Sequence, residues 1–239
     1  MMKSKKVVVI GASAAGLMAG ATAALYGASV TIIEKNKRVG RKIMITGKGR
    51  CNLANNCDVQ TFINNVPVNG RFLYSAINAF TPEDTIEFFE SKGLKTKTER
   101  GNRVFPASDK SVDVVDLMHD YAVESGCKIV CDTANTLILE DGAVIGVKCE
   151  ENTYYADSVI ICCGGKSYPL TGSTGDGYTL ARSVGHTITP LKPSLVPLVC
   201  PNNFIPRLQG LSLKNIEITL FEEEKAIYSD FGEMIFTHY

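Results

Sequence analysis

The chain has 239 residues, and its 25 basic and 25 acidic side chains cancel. A balanced chain has no global field to draw nucleic acid or an anionic membrane, so any such partner needs a local patch. Hydrophobic residues make up 45% and charged residues 21%, which excludes a disordered or fibrous chain and allows one large domain or one and a half ordinary ones.

Met1 to Lys6 run straight into Val7-Val8-Val9-Ile10, an apolar stretch too short for a signal peptide, and no run long enough to cross a membrane follows. This predicts a cytoplasmic protein with no membrane partner. Lys6 to Ile10 reads as a buried parallel strand, Ala14 to Tyr26 as a helix ending near Gly27, and Ser29 to Ile33 as a second strand closing on Glu34. Residues 35 to 57 are glycine-rich and basic and read as a loop with at most one helical turn. Thr81-Pro82-Glu83-Asp84 signals a helix start, with Thr81 as cap and Pro82 in the first turn, and the helix stops at Gly93. Ser111 to Ser125 is a further helix. Lys128 to Asp132 is a strand, and Leu137 to Glu140 with Ala143 to Cys149 form a hairpin about Asp141-Gly142. Ser158 to Cys163 reads as a buried strand holding Cys162 and Cys163, and a helix runs from near Gly175 to Val184. From about Pro190 the prolines become frequent and short strands such as Ile216 to Phe221 follow. The expected division is therefore a domain over 1–191 and the start of a second over 192–239.

The eight cysteines form no paired C-x-x-C sets, so free thiols in a reducing compartment are expected and a zinc site is not. His119, His186 and His238 are too scattered for a metal or a catalytic triad, and no metal partner is expected.

Three segments carry chemistry. Gly11-Ala12-Ser13-Ala14-Ala15-Gly16 follows a strand and opens a helix, where free N–H groups and the helix dipole can meet a pyrophosphate. Glu34 ends the next strand, 23 residues after Gly11, where a carboxylate can accept ribose hydroxyls. Ser13 replaces the middle glycine of the usual pattern, which narrows the backbone approach. A ligand-free strand–helix turn is the competing reading. The second segment runs from Gly40-Arg41-Lys42 to Thr46-Gly47-Lys48-Gly49-Arg50-Cys51-Asn52. Seven basic and no acidic residues lie between Lys35 and Arg50, able to neutralise a pyrophosphate, a reduced flavin or a nucleic-acid backbone. For Lys35, Lys37 and Arg38 a solvated basic loop is the favoured reading. The third segment is Gly164-Gly165-Lys166 followed by Gly172-Ser173-Thr174-Gly175-Asp176-Gly177-Tyr178, a second polar-ligand site or a pair of ordinary turns.

Together these segments resemble the two-dinucleotide-binding-domain flavoproteins of the glutathione reductase-like superfamily. More narrowly, the chain is similar to the BaiN/RdsA (YhiN-like) family of FAD-dependent oxidoreductases. Residues 41–52 carry the most specific part of the resemblance, and the Thr-Gly-Asp-Gly stretch is shared with fumarate reductase-type flavoproteins. The fold implied is α/β: a Rossmann-like FAD-binding domain with a central parallel sheet, plus the start of an inserted, mainly-β substrate domain. Family members are longer, and the sequence reads as an amino-terminal part of such a protein.

The resemblance implies FAD as cofactor, with Gly11, Ala12, Ser13, Ala14, Ala15 and Gly16 at the pyrophosphate and Glu34 at the ribose. It implies Lys35, Arg41 and Lys42 beside the phosphates or adenosine, with Gly40 at the head of that segment, and the backbone near Asn135 at the adenine. Thr46, Gly47, Gly49, Arg50 and Cys51 would lie against the isoalloxazine, with Gly164, Gly165, Thr174, Gly175 and Asp176 nearby. No second glycine motif appears, so NAD(P)H is expected as a transient reductant at the flavin face. The activity implied is NAD(P)H-driven reduction of an activated C=C bond, with Cys51 as the candidate proton donor and Arg50 perturbing its thiol. A packing role for Cys51 stands beside that reading. The substrate is a small molecule or uridine in ribosomal RNA. A module that holds FAD without turnover, and a plain NAD-binding Rossmann protein, are the remaining readings.

Overall fold

The computed structural model describes residues 4–194 and 196–237. The chain divides into two compact units, Met1–Ile188 and Thr189–Tyr239.

In the first unit, strand β1 (Lys6–Ile10), helix α1 (Ala14–Leu25) and strand β2 (Ser29–Glu34) make the expected βαβ start. The segment read as a loop instead forms helix α2 (Arg41–Ile45) and a 3-10 turn over Thr46–Gly49. A two-residue strand β3 (Ala54–Asn55) and helices α3 (Val59–Asn64) and α4 (Tyr74–Ala79) follow, in a stretch where the sequence signals no element. Helix α5 (Pro82–Ser91) begins where Thr81 predicts: Thr81 accepts from the Asp84 N–H, and Asp84 accepts from the Thr81 N–H. Strands β4 (Thr96–Glu99) and β5 (Arg103–Pro106) pair with β3 in the antiparallel order β3-β5-β4.

Helix α6 (Ser111–Glu124) leads to β6 (Lys128–Cys131), then to strands β7 (Ala134–Glu140), β8 (Ala143–Cys149) and β9 (Thr153–Tyr155) of an antiparallel sheet. Strand β10 (Ser158–Ile161) closes the parallel sheet in the order β10-β1-β2-β6, and helix α7 (Asp176–Ser183) completes the unit. β10 ends before Cys162 and Cys163, which are half-buried; the expected strand is two residues too long.

The parallel sheet is covered on both faces, and period-two alternation decides which residue goes where. Val9, Val30 and Ile32 pack with Leu17 and Ala21 of α1 and with Val114, Val115, Met118 and Ala122 of α6. Val8, Ile10 and Ile33 pack on the other face with Val147 and Cys149 of β8 and with Leu180 of α7. Full burial of each such aliphatic side chain contributes about 1.5–3 kcal/mol. Helix α1 sits close to the sheet because a Cβ on Gly20 would lie 2.6 Å from Ile32 Cδ1.

The second unit holds a ribbon of two antiparallel strands, β11 (Ser212–Glu222) and β12 (Lys225–Ile235). Its turn residues Glu223 and Glu224 both have positive φ, the conformation of a two-residue type I′ turn. No helix among the described residues is long and apolar enough to cross a membrane.

Candidate functional site

A pocket opens at the carboxyl ends of β1, β2 and β10, the crevice where open α/β sheets bind ligands. Its floor is the turn from Ile10 to Ser13. Gly11 adopts φ +102°, and a Cβ there would lie 2.6 Å from the Cys162 carbonyl oxygen. The Gly11 N–H donates to the Ile33 carbonyl at 2.7 Å, locking the turn against β2. Ser13 has extended backbone (φ −111°, ψ −160°), which any residue adopts, so the position needs no glycine. No side chain caps the start of α1. Ser13 at the head of the helix lines the pocket, next to the free N–H groups of the first turn and the positive end of the helix dipole.

Glu34 is 9% exposed and stands at one wall. Its Oε2 accepts from the Ala12 N–H at 2.8 Å, and its Oε1 accepts from Asn36 N and Nδ2 at 2.9 and 2.6 Å. Oε1 is thereby saturated, while Oε2 keeps further lone-pair capacity. Arg41 donates to Asn36 Oδ1 at 2.7 Å, so the guanidinium is anchored to the same group. Lys35 donates to Asp176 Oδ2 at 2.6 Å and to Thr174 Oγ1 at 2.7 Å. Burial of Asp176 raises its carboxyl, but hydrogen bonds from Lys35 and Thr174 outweigh this and hold it below the usual range. Lys42 donates to the Ser167 carbonyl and lies 5.2 Å from the Tyr168 ring centroid; burial lowers its ammonium pKa.

Beside Glu34, at the end of the neighbouring strand β6, the lining continues through Asp132, Thr133 and Ala134. Asp132 is 5% exposed. Its carboxylate accepts from the N–H groups of Thr133, Glu151 and Asn152 and from the side chains of Asn152 and Tyr154, at 2.8 to 3.4 Å. Burial pushes its pKa up, yet those donors bring it below the ordinary carboxylate value. Asn135 itself is exposed and lies at a register shift between β7 and β8, where a bulged residue has no cross-strand partner.

Of the expected site residues, the pocket brings together Gly11, Ala12, Ser13, Glu34, Lys35, Gly40, Arg41, Lys42 and Asp176. Gly16 serves the packing of α1 instead: a Cβ on it would lie 1.7 Å from the Gly11 carbonyl oxygen, so glycine here lets the helix meet the turn. Gly172 and Ser173 of the third segment line the pocket too, and Asn36, Asp132, Thr133, Cys162 and Cys163 join them without having been assigned to the site from sequence. For Asp132 a signal exists, since it closes the third strand as Glu34 closes the second.

The Thr46–Cys51 loop lies apart, against β5. Gly47, Lys48, Gly49 and Cys51 all have positive φ. A Cβ on Gly47 would lie 3.0 Å from the Phe105 ring. Arg50 stacks on the same ring at 4.0 Å and bonds Glu99 at 2.8 Å and Asp109 at 3.3 Å. This corrects one expectation. The guanidinium is held by two carboxylates, and burial instead pushes the Cys51 thiol up, with a hydrogen bond to Thr46 opposing. His119 is half-buried, 2.9 Å from Asp120, and His238 lies outside the described residues. No cluster of three metal-ligating side chains occurs among the described residues.

A parallel sheet, a glycine turn under an uncapped helix and an acid closing the next strand define a Rossmann-type dinucleotide-binding domain. Residues 5–235 match the HI0933-like protein Rossmann domain, and the chain belongs to that family. The chain is 32% identical to a 3-dehydro-bile acid delta(4,6)-reductase of Clostridium scindens, over 98% of this chain and 57% of that protein. It is 28% identical to a ribosomal RNA dihydrouridine synthase of Haemophilus influenzae, over 100% of this chain and 59% of the other. The chain thus spans somewhat over half the length of the curated relatives it matches. Among solved structures, the open conformation of a flavocytochrome c3 fumarate reductase superposes with a TM-score of 0.61 at 19% identity, covering 89% of this chain and 47% of the other. That likeness concerns the fold.

Proposed function

We propose that this domain binds FAD and serves an oxidoreductase that uses NAD(P)H to reduce an activated C=C bond in a small molecule. The observation that carries the reading is the pairing of an uncapped α1 N-terminus with the buried carboxylate of Glu34, bonded at 2.8 Å to Ala12 of the same turn. These groups fit a dinucleotide. The helix end suits a pyrophosphate, Gly11 lets the turn pass close under the end of β10, and Glu34 Oε2 keeps acceptor capacity for a ribose hydroxyl. Lys35, Arg41 and Lys42 would neutralise the phosphates. Bound FAD would supply hydride transfer between the nicotinamide and the substrate.

In the net reaction NAD(P)H becomes NAD(P)+, and the double bond gains a hydride and a proton. Cys51 is our candidate for the proton. Its thiol is buried and its pKa is raised, so it stays protonated at neutral pH, which suits an acid and not a nucleophile. Gly164, Gly165, Thr174 and Gly175 would frame the flavin side. Eight free cysteines accord with a cytoplasmic location.

The RNA reading draws on the Haemophilus influenzae relative, and the basic segment does not separate it from the small-molecule reading. Lys35, Arg41, Lys42 and Arg50 are all engaged within the domain. The first test is the visible spectrum of the purified protein with identification of any released chromophore. Released FAD supports the reading, and a protein that stays colourless after incubation with FAD overturns it. In a turning-over preparation, Cys51→Ala should lower kcat with NAD(P)H and an enone by about 100-fold, while FAD content is retained.

A further inference from the structure

Asp132 does more than satisfy its own burial. Its N–H donates to the Glu34 carbonyl at 3.0 Å, which fastens it to the strand end that carries the ribose-side carboxylate. Its carboxylate gathers the turn between β8 and β9 through Glu151 and Asn152, and fixes the Thr133 N–H at 2.8 Å. The Thr133 carbonyl is held in turn by the Glu150 N–H at 3.0 Å. Thr133 and Ala134 thereby form a wall of the pocket adjoining Glu34, next to the bulge at Asn135. The bonds that set this wall converge on one side chain. A carboxylate that accepts from several fixed backbone N–H groups is a rigid hub, and losing it leaves buried donors unpaired.

We propose that Asp132 is a positioning residue for the nucleoside end of the bound dinucleotide, acting through Thr133 and Ala134 on the adenine side and through Glu34 on the ribose side. The proposal rests on the dinucleotide reading of the pocket. It separates two parts of the site: the pyrophosphate cradle at α1 does not contact Asp132, so the two ends respond differently to its loss.

The test uses the purified protein freed of cofactor and titrated calorimetrically with ADP and, separately, with inorganic pyrophosphate. If the unsubstituted protein binds neither FAD nor ADP, the dinucleotide reading itself fails and this proposal with it. If it binds them, Asp132→Asn is expected to weaken ADP by about tenfold, the loss of one charge-assisted hydrogen bond, and to leave pyrophosphate within about twofold. An equal loss for both ligands marks a merely structural residue and overturns the proposal, as does an unchanged ADP affinity. Should Asp132→Asn fail to fold, Asn152→Ala removes one donor and keeps the backbone bonds. It should weaken ADP about threefold with pyrophosphate unchanged, and no change in ADP overturns the proposal.

Discussion

A methyl group on Gly11 would stand 2.6 Å from a carbonyl oxygen, at a φ of +102° that L side chains rarely adopt. Gly11→Ala should therefore destabilise the fold by about 1–3 kcal/mol and reduce bound FAD, measured by denaturant unfolding and by the flavin absorbance of the purified variant. Titration at single residues gives a second expectation. Burial pushes the Cys149 and Cys163 thiols up to about 11, above the free-cysteine value of 9.0. A raised folded pKa means that stability is fully present below about pH 9 and falls as pH rises toward about 11. On the acid side Asp132 and Asp176 are depressed, so their contribution is present above the ordinary carboxylate range and is lost as pH falls through it. Urea midpoints measured across pH should show a neutral plateau with both flanks falling, and a midpoint still rising above pH 9 would contradict the alkaline part. Gly11 and Glu34 are legible in the sequence because glycine turn and terminal acid follow from chain order alone. Asp132 is marked only by its place at a strand end, and the role of its carboxylate is not legible, because its partners Glu151, Asn152 and Tyr154 come from the β8–β9 turn and β9, which reach it only in the folded chain. Arg50 shows the same limit: nothing local in the sequence pairs it with Glu99 and Asp109.

At the scale of elements, local signals suffice where they are strong. Thr81 caps α5 with both halves of the capping box in place. Thr81→Ala should cost about 1 kcal/mol in thermal or denaturant unfolding, with little effect on cofactor content, since α5 lines no part of the pocket. The Asp141-Gly142 turn makes the β7–β8 hairpin as its residues require. The elements with a weak local signal or none are short: α2, α3 and α4 have five or six residues each, and only α3 among them has a side-chain cap, from Asp58. Such segments gain too few backbone bonds to be stable alone, so their helicity depends on what they pack against. Helix α2 shows this. Ile43 is buried, the Ser111 hydroxyl bonds the Met44 carbonyl at 3.1 Å, and a Cβ on Gly40 would press on Val115 at 2.7 Å. It is packing on α6 that turns a basic glycine-rich stretch into a helix. Strand β12 is hard to read from sequence for a related reason, as its ladder bonds go to β11.

The whole molecule consists of two units that differ in how much of their surface is covered. Residues 1–188 hold both core clusters, whereas the described residues from 189 to 204 are exposed and irregular. We expect brief treatment with proteinase K to cut between residues 189 and 211 and to leave a resistant amino-terminal fragment; cleavage first within the parallel sheet would oppose that division. The βαβ start, the glycine turn and its acid, the capped helix and the tight hairpin were determined by sequence alone, because each rests on contacts between residues near in the chain. Only tertiary structure decided that the β7–β9 sheet covers one face of the parallel sheet, that Asp132 sits beside Glu34 at the rim of one pocket, and that the loop bearing Cys51 packs on Phe105. Those contacts join residues tens to more than a hundred positions apart, and their energy comes from burial and hydrogen bonding that no local pattern encodes.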